Sequence, residues 1–573
     1  MISRTIFAAL IAALACVPLF SAEVKTAKPA AAANWWDSGV AYQIFVRSYL
    51  DTDGDGKGDL KGVTAKLDYL TNLGVTALYL NPIFQSTSYH GYDTVDYYSI
   101  NKDLGTMADF EELVKEAHTR GLKIILDMVF NHTSVKHPWF VDSATNANSP
   151  YADWYLWSTN DRASEGWVNL VNSKMPAWNA WTDIKDALRY SNFYYAAFNM
   201  TIPDLNLKNP EVVKEIKKIT KFWLDKGVDG LRMDAAIYMV EDGPGKLQIN
   251  SPSNFAFWKD YCSYVYSLKP DAYIIGEVFQ GQDVVANYWQ GDQGFRACFN
   301  FNYEGKASMA LHIGGASRGM DKLKEKLAQY WSLTTNGMPV TFESVFISSH
   351  DRGRYAEAAQ KPEMEKLGAV VQFTIPGGMP YVYYGDEIGQ REGEKKIGDA
   401  EMRNPMWWNG SVSNAGFTSK PKPWVLSMAK DLKVSTNGVN VEAELRDPQS
   451  VLALYQKIIA LRKATPALQK GDYEIIGLDI SKDAGLASCL AFARKSGKSL
   501  AVVAVNAART NVTFDQPITA PSVKAAAGKL KVVSSLWSKD LTAAAPKDVT
   551  DAVAAGNLKF ELGPKDFLIV TME

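Results

Sequence analysis

The sequence predicts an α/β fold: a (β/α)8 barrel with an inserted subdomain after the third strand and a C-terminal antiparallel β domain. Three observations carry this. From Trp35 onward, apolar runs of strand length alternate with helical patterns, the signature of a parallel sheet with crossover helices. The interval from Thr133 to Thr201 is too long for a βα loop and is rich in Trp, Asn and Ser. After Leu468 the pattern changes to alternating strands joined by turns.

The expected barrel strands are Ala41–Arg47, Ala77–Pro82, Lys123–Phe130, Gly230–Asp234, Tyr273–Glu277, Cys298–Phe301, Val345–Ser349 and Pro380–Tyr384. Helical stretches such as Met107–Arg120 and Pro210–Lys226 fall between them. Eight strands interleaved with helices favour closure into a barrel. A doubly wound open sheet is the alternative that periodicity leaves standing, but no Gly-x-Gly-x-x-Gly follows the first strand. In the last barrel helix Asp447 is the expected cap and Pro448 the first residue, with Val451, Leu454, Tyr455, Ile458 and Leu461 on one face. Beyond it, Leu486–Arg494 and Leu500–Asn506 flank the turn Ser496-Gly497-Lys498. The domain limits read as 35–132 and 202–468 for the barrel, 133–201 for the subdomain and 469–573 for the β domain.

A chain of 573 residues, 47% hydrophobic and 22% charged, is ordinary globular material. Its net charge of −2 gives no electrostatic reason for a nucleic acid partner. The 16 Trp and 27 Tyr suit a core or stacking against sugar faces. Arg4 followed by the apolar run Ile6–Leu19, too short to cross a bilayer, reads as an export signal over residues 1–22, with a leader over 23–34. The expected location is therefore secreted or periplasmic. Lipidation at Cys16 is the lesser alternative, because Ala13-Leu14-Ala15 lacks the usual aliphatic residue three places before the cysteine. No later segment is long and apolar enough for a transmembrane helix. Cys262, Cys298 and Cys489 form neither a disulfide framework nor a metal-ligand spacing and read as buried free thiols.

Polar residues gather at the C-terminal ends of the expected strands. Asp127, Asn131 and His132 close the third, Arg232 and Asp234 the fourth, Glu277 the fifth, His350 and Asp351 the seventh. In a barrel these ends share one mouth, where active sites are built. One acid at a strand end is ordinarily a cap or an ion pair; four strands ending this way together point to chemistry.

Asp127-Met-Val-Phe-Asn131-His132, Gly230-Leu-Arg232-Met-Asp234-Ala235, Gly276-Glu277-Val278 and Ser349-His350-Asp351 resemble, in order, the four conserved blocks of the α-amylase family of glycoside hydrolases. Ile202-Pro203-Asp204-Leu205-Asn206 is similar to the family's fifth block. Tyr89-His90-Gly91-Tyr92-Asp93, the stretch from Pro376 to Glu387, and Arg403-Asn-Pro405-Met406-Trp-Trp408 match further. The resemblance covers residues 35–573. It implies Asp234 as nucleophile, Glu277 as general acid/base and Asp351 as a binder of substrate hydroxyls that stabilises the oxocarbenium-like transition state. It also implies substrate contacts from Tyr89 (stacking), His132 and His350 (hydrogen bonds to hydroxyls) and Arg354, with Asp127 as an organiser. A retaining mechanism needs one ionised carboxylate about 5 Å from a protonated one. Arg232, on the same strand face as Asp234, can hold that aspartate ionised. Crowding by carboxylates favours a proton on Glu277.

Asp51, Asp53, Asp55 and Asp59 alternate around a glycine-rich turn that can wrap oxygen ligands around Ca2+, with Lys57 offering its carbonyl. The spacing begins like an EF-hand, but the twelfth position is Gly62 and a strand precedes it. The loop instead resembles the calcium loop of oligo-glucosidase-like family members; a bare acidic turn is the alternative. The family's other calcium site would use Asn131 and Asp204.

Specificity rests on three positions. Tyr89 stands where exo-acting α-glucosidases of the family carry an aspartate, so an open cleft is expected. Ala235 is like α-1,4-acting members. The Lys-His pair expected three and four places after the nucleophile is replaced by Ile237 and Tyr238. The expected activity is that of an α-amylase or maltodextrin hydrolase on an α-glucan or malto-oligosaccharide. An α-glucosidase or 4-α-glucanotransferase is the enzymatic alternative, and a non-catalytic glucan-binding member the remote one.

Overall fold

The structure is a computed structural model. It describes residues 34–146, 148–180, 193–303, 317–393, 399–412, 414–420, 423–425 and 434–573. The expected signal peptide and nearly all of the expected leader lie outside these residues. Trp35–Glu573 forms one compact unit.

Eight parallel strands form the central sheet: β1 (Ala41–Ile44), β2 (Ala77–Leu80), β3 (Lys123–Met128), β4 (Gly230–Met233), β5 (Tyr273–Gly276), β6 (Ala297–Asn300), β7 (Glu343–Val345) and β8 (Tyr381–Tyr383). Their order is β7-β6-β5-β4-β3-β2-β1-β8, and a parallel bridge between Phe346 and Tyr381 joins the two edges. The sheet is therefore a (β/α)8 barrel. Nearly every strand residue is buried, as strands covered on both faces require. Inward-pointing Ala41, Ala77, Tyr79, Ile125, Tyr273, Ile275, Phe299 and Tyr381 fill the barrel, with Trp36 packed on Tyr273 at 5.4 Å.

Outside the sheet, helices pack by amphipathic faces. Met107–Thr119 begins with a reciprocal capping box between Thr106 and Asp109. Pro210–Asp225 is capped by Asn209 and buries Val212, Ile216, Ile219 and Trp223. The last barrel helix runs Val451–Ala464 and corrects the expected cap: the Ser450 side chain accepts from Ala453 N, and Asp447 instead accepts from Gln449 N in the preceding turn. A serine hydroxyl one residue before the first helical position reaches an orphan N–H that Asp447, three residues further back, does not.

Within 133–201, the described residues include a helix, Pro138–Thr145, and a small antiparallel sheet of Trp157–Ser158, Phe193–Tyr195 and Trp178–Ala180. Beyond the barrel, β9 (Asp472–Ile475), β10 (Cys489–Ser496), β11 (Ser499–Asn506), β12 (Val532–Trp537) and β13 (Asp566–Met572) form an antiparallel sheet ordered β9-β10-β11-β13-β12. The β10–β11 hairpin turns at Gly497-Lys498, with Gly497 at φ +59°. Leu486, expected in a strand, belongs to the short 3-10 segment Ala484–Ser488, which Asp483 caps.

Several barrel strands stop short of their expected ends, and this sets the site. The expected seventh strand, Val345–Ser349, is found as Glu343–Val345, so His350 and Asp351 stand on a loop. Ser348 and Ser349 explain the difference. Their hydroxyls accept from the backbone N–H groups of Tyr355 and of Asp351 and Arg352, offering the chain a turn in place of the ladder. The first strand likewise yields to a 3-10 turn at Val46–Ser48.

The cap correction is testable. Ser450→Ala should lower stability by about 1 kcal/mol, whereas Asp447→Ala should stay within about 0.5 kcal/mol of the parent. Thermal melts of both variants check this, and the reverse ranking would return the cap to Asp447.

Candidate active site

The mouth of the barrel is organised around Arg232, on β4 and only 2% exposed. Strand register places Asp127 directly beside it and Ile275 on its other flank. Its Nη1 donates to Asp127 Oδ1 at 2.7 Å and to Asp234 Oδ1 at 2.5 Å, while its Nη2 lies 3.0 Å from Glu277 Oε2. Asp234 follows the last residue of β4 and Glu277 the last of β5. Ala235, next after Asp234, takes φ +50°, a strained value for an alanine, and its N–H donates to Glu277 Oε2 at 3.1 Å. Gly276 before Glu277 is sterically required: a Cβ there would fall 2.3 Å from the Phe295 ring.

Asp127 is fully engaged. Besides Arg232 it accepts from Tyr79 Oη at 2.6 Å and Tyr92 Oη at 2.9 Å. With no exposed side-chain surface it orients Arg232 and does not reach a substrate. Burial raises the Asp234 carboxyl well above its ordinary value; Arg232 opposes the rise, and the Glu277 and Asp127 carboxylates add to it. Three carboxylates face one guanidinium. The short bond from Arg232 favours the negative charge on Asp234.

Asp351 is treated oppositely. Loss of solvation raises its carboxyl, but the His350 ring at 3.0 Å and Arg403 Nη2 at 2.8 Å hold it well below the ordinary carboxylate range. Its side chain keeps 43% of its surface open to the cleft. Gln43 Nε2 lies 2.8 Å from His350 Nδ1, which places the ring proton on Nε2, facing Tyr92 Oη and Asp351.

A cavity of about 500 Å³ connects these groups, lined by Tyr92, His132, Asp234, Glu277, Asp351 and Arg403 among others. Three expected contacts are placed differently. Tyr89 does not line the cavity: its ring lies 5.1 Å from Trp424, and its hydroxyl accepts from Arg403 Nη1 at 3.3 Å at the rim. Tyr92 has the position expected of Tyr89, stacked on His350 with 12° between ring planes. His132 spends its Nε2–H on the Tyr92 carbonyl at 3.0 Å, and burial depresses the ring to about 4, so it is neutral and has no second proton for a sugar. Arg354 is wholly buried, donating to Tyr384 O and Asn404 Oδ1. It supports the loops behind the site, and Arg403 is the arginine that reaches Asp351. Arg403 lies in a matching motif that implies no role for it, and Tyr79 and Gln43 sit on barrel strands among apolar neighbours, where the sequence pattern marks no site residue.

In the loop after β1, carboxylate oxygens of Asp51, Asp53 and Asp59 lie within 4.8 Å of one another. Asp51 accepts from Gly54 N and Gly56 N, and Asp59 from Thr52 N and Gly62 N, so the backbone fixes both carboxylates. Asp55 is not gathered with them and accepts from Lys57 N; the Lys57 amine reaches Asp103 at 2.9 Å. At the other suggested metal position, Asn131 Nδ2 donates to Asp204 Oδ2 at 3.1 Å, and burial lifts the Asp204 carboxyl to about 8.

The two arginines separate by experiment. Arg403→Lys should lower kcat/KM at least about tenfold with a small change in melting temperature. Arg354→Lys should chiefly lower the melting temperature, because carbonyls that lose a buried donor cost about 1–3 kcal/mol each. The opposite pattern in paired kinetics and melts would restore Arg354 to the substrate.

Comparison with known proteins places the chain in a family. A family model for the α-amylase catalytic domain matches residues 43–471. Alpha-amylase 3 of Dictyoglomus thermophilum is 37% identical over 445 residues, 77% of this chain and 80% of that one. An oligo-1,6-glucosidase of Heyndrickxia coagulans is 31% identical over 547 residues, 84% of this chain and 94% of that one. The crystal structure of Bacillus licheniformis trehalose-6-phosphate hydrolase superposes with a TM-score of 0.78 at 26% identity, covering 94% of this chain and 100% of that one. With the barrel, the ordered blocks and these matches together, the chain belongs to the α-amylase family of glycoside hydrolases.

Proposed function

We propose that the chain hydrolyses α-1,4-glucosidic bonds of starch or maltodextrins with retention of configuration, acting within chains as an α-amylase does. The observation that carries this is the Arg232 guanidinium bridging Asp234 and Glu277 at the barrel mouth. In this reading Asp234 attacks the anomeric carbon while Glu277 protonates the leaving oxygen; Glu277 then takes a proton from water as the glycosyl-enzyme is hydrolysed. Asp351, kept ionised by His350 and Arg403, holds hydroxyls of the same sugar and offsets the positive charge that develops on its ring. Ala235 after the nucleophile supports α-1,4 selectivity. Tyr89, a residue without a carboxylate, stands at the rim, which supports passage of a longer chain. A second reading, an exo-acting α-glucosidase, is supported by the long match to an oligo-1,6-glucosidase and by Ile237 and Tyr238 in place of the Lys-His pair.

Comparing kcat/KM for maltose, maltotriose and maltoheptaose, with the first anomer followed by NMR, tests both. Maltoheptaose should be cleaved fastest, with maltose and maltotriose among the products and α-anomers appearing first. Maltose as best substrate with glucose as sole product would favour the α-glucosidase, and β-anomers first would sink retention.

The Asp51–Asp59 loop is proposed to hold one Ca2+. Three converging carboxylates, two of them fixed by backbone donors, suit a hard cation that takes oxygen ligands at about 2.3–2.6 Å. Asp51, Asp53 and Asp59 would bind directly, with Asp55 and the Lys57 carbonyl closing the shell. No catalytic step passes through the ion. Because a ligand bound only by the folded state stabilises it, chelation should lower the melting temperature. An unchanged melt after verified calcium removal would leave the loop as an acidic turn.

A further inference from the structure

A second cavity, of about 260 Å³, lies in the seam between the inserted subdomain and the barrel and shares no lining residue with the catalytic one. Trp167 and Trp178 line it from the subdomain, and residues 240–244, in the loop after β4, line it from the barrel. The seam is fastened beside it. Gln248 accepts from Val168 N at 3.1 Å and donates to Val168 O and Tyr195 Oη, each at 2.9 Å. Arg162 holds the two indoles in place: its guanidinium carbon stands 5.2 Å from the Trp167 ring and 5.0 Å from that of Trp178. Its backbone takes φ +48°, a strained value for a residue other than glycine.

Two polar groups of this lining are left over. Trp178 is 3% exposed, and its buried indole N–H finds no acceptor among the described residues. Glu241 is 8% exposed, and among the described residues no other side chain bonds to its carboxyl. Buried polar groups ordinarily have partners, and each one without calls for an explanation. The cations of the lining are already matched, Arg162 with Glu165 at 2.8 Å and Lys208 with Asp242 at 3.2 Å, so neither waits for an anion. Glu241 is not gathered with two further acids as Asp51, Asp53 and Asp59 are, so the pocket does not suit a divalent cation. What remains to be met is an acceptor for the indole N–H, a donor for the Glu241 carboxyl and an apolar face for the rings. A neutral ligand whose hydroxyls both donate and accept, with C–H faces between them, meets all three.

We propose that the seam pocket binds one hexose unit, taken either as free sugar or as the end of a glucan chain. Its volume falls just below the range of pockets that take drug-sized ligands, which suits a single pyranose. The choice of a glucose unit rests on the α-glucan reading above.

The test counts sugar bound per chain by calorimetry in Asp234→Ala, which holds sugar without turning it over, with and without Glu241→Leu. Asp234→Ala should bind glucose at two sites, the cleft and the seam. Glu241→Leu should weaken the second by about tenfold or more, the worth of one buried hydrogen bond, and Glu241→Gln, which keeps an acceptor, should weaken it less. Neither substitution should lower the melting temperature, because a buried carboxyl without a partner costs desolvation and returns no bond. Maltoheptaose bound at both sites identifies chain ends as the occupant, and maltoheptaose bound at the cleft alone identifies free hexose. A single glucose site in both proteins, or a second site indifferent to Glu241, overturns the seam pocket and leaves the cleft reading standing. A calcium ion lost with Glu241→Leu in place of the sugar overturns it in favour of a metal. No sugar at the cleft overturns the α-glucan reading, whatever the seam does.

Discussion

The mouth of this barrel depends on one buried guanidinium. A lone cation in the interior is expensive, and so is a lone carboxylate, but each makes the other tolerable if the hydrogen bonding is complete. Arg232 meets most of this condition through Asp127, which is itself satisfied by two tyrosine hydroxyls, and through Asp234 and Glu277, although its buried Nε–H finds no acceptor among the described residues. The arrangement requires three adjacent parallel strands in one register, since Asp127, Arg232 and the residue before Gly276 stand level across β3, β4 and β5. Closure of the sheet and placement of charge are thus the same constraint. Three carboxylates around one cation also leave a negative excess, which adds to burial in raising the Asp234 carboxyl.

Asp351 belongs to a second electrostatic unit. It stands on a loop, bound by His350 and Arg403, and its carboxyl is driven down while that of Asp234 is driven up. Carboxylates whose surroundings push them apart in this way are suited to different tasks. Arg403 also reaches the Tyr89 hydroxyl and the His350 carbonyl, so one side chain ties the loop after β7 to the rim. The cleft therefore has a rigid floor built from strands and a side wall built from loops.

This division explains what could be read from the sequence. All eight strands were legible because apolar runs buried on both faces leave a strong pattern, and Asp127, Arg232, Asp234 and Glu277 were legible because they stand at or just beyond strand ends. Loop positions were not. Ser348 and Ser349 end the seventh strand through side-chain bonds that periodicity does not register. Arg354 and Arg403 are both buried arginines near matching motifs, and only tertiary placement turns the one to Tyr384 O and Asn404 and the other to Asp351. Tyr89 and Tyr92 flank the same glycine turn, and nothing in local spacing says which ring lies over the floor. Ser450 precedes the first residue of the apolar face and so is a cap the sequence offers; Pro448 draws the boundary three residues too early.

The two sides of the cleft also differ in how tightly physics constrains them. Around Arg232, charge must be matched to charge at hydrogen-bond distance, so a substitution at Arg232 or Asp127 leaves a buried ion unpaired. On the opposite wall the requirement is only packing, and apolar groups of many shapes satisfy it. The matched relatives carry different names, an α-amylase and an oligo-1,6-glucosidase among them, while the opposite wall of this cavity is made by side chains such as Tyr238, Val171 and Phe279. Those residues come from three separate segments and none is paired to a buried charge. Each can change without disturbing the floor, because none of the ion pairs around Arg232 runs through them.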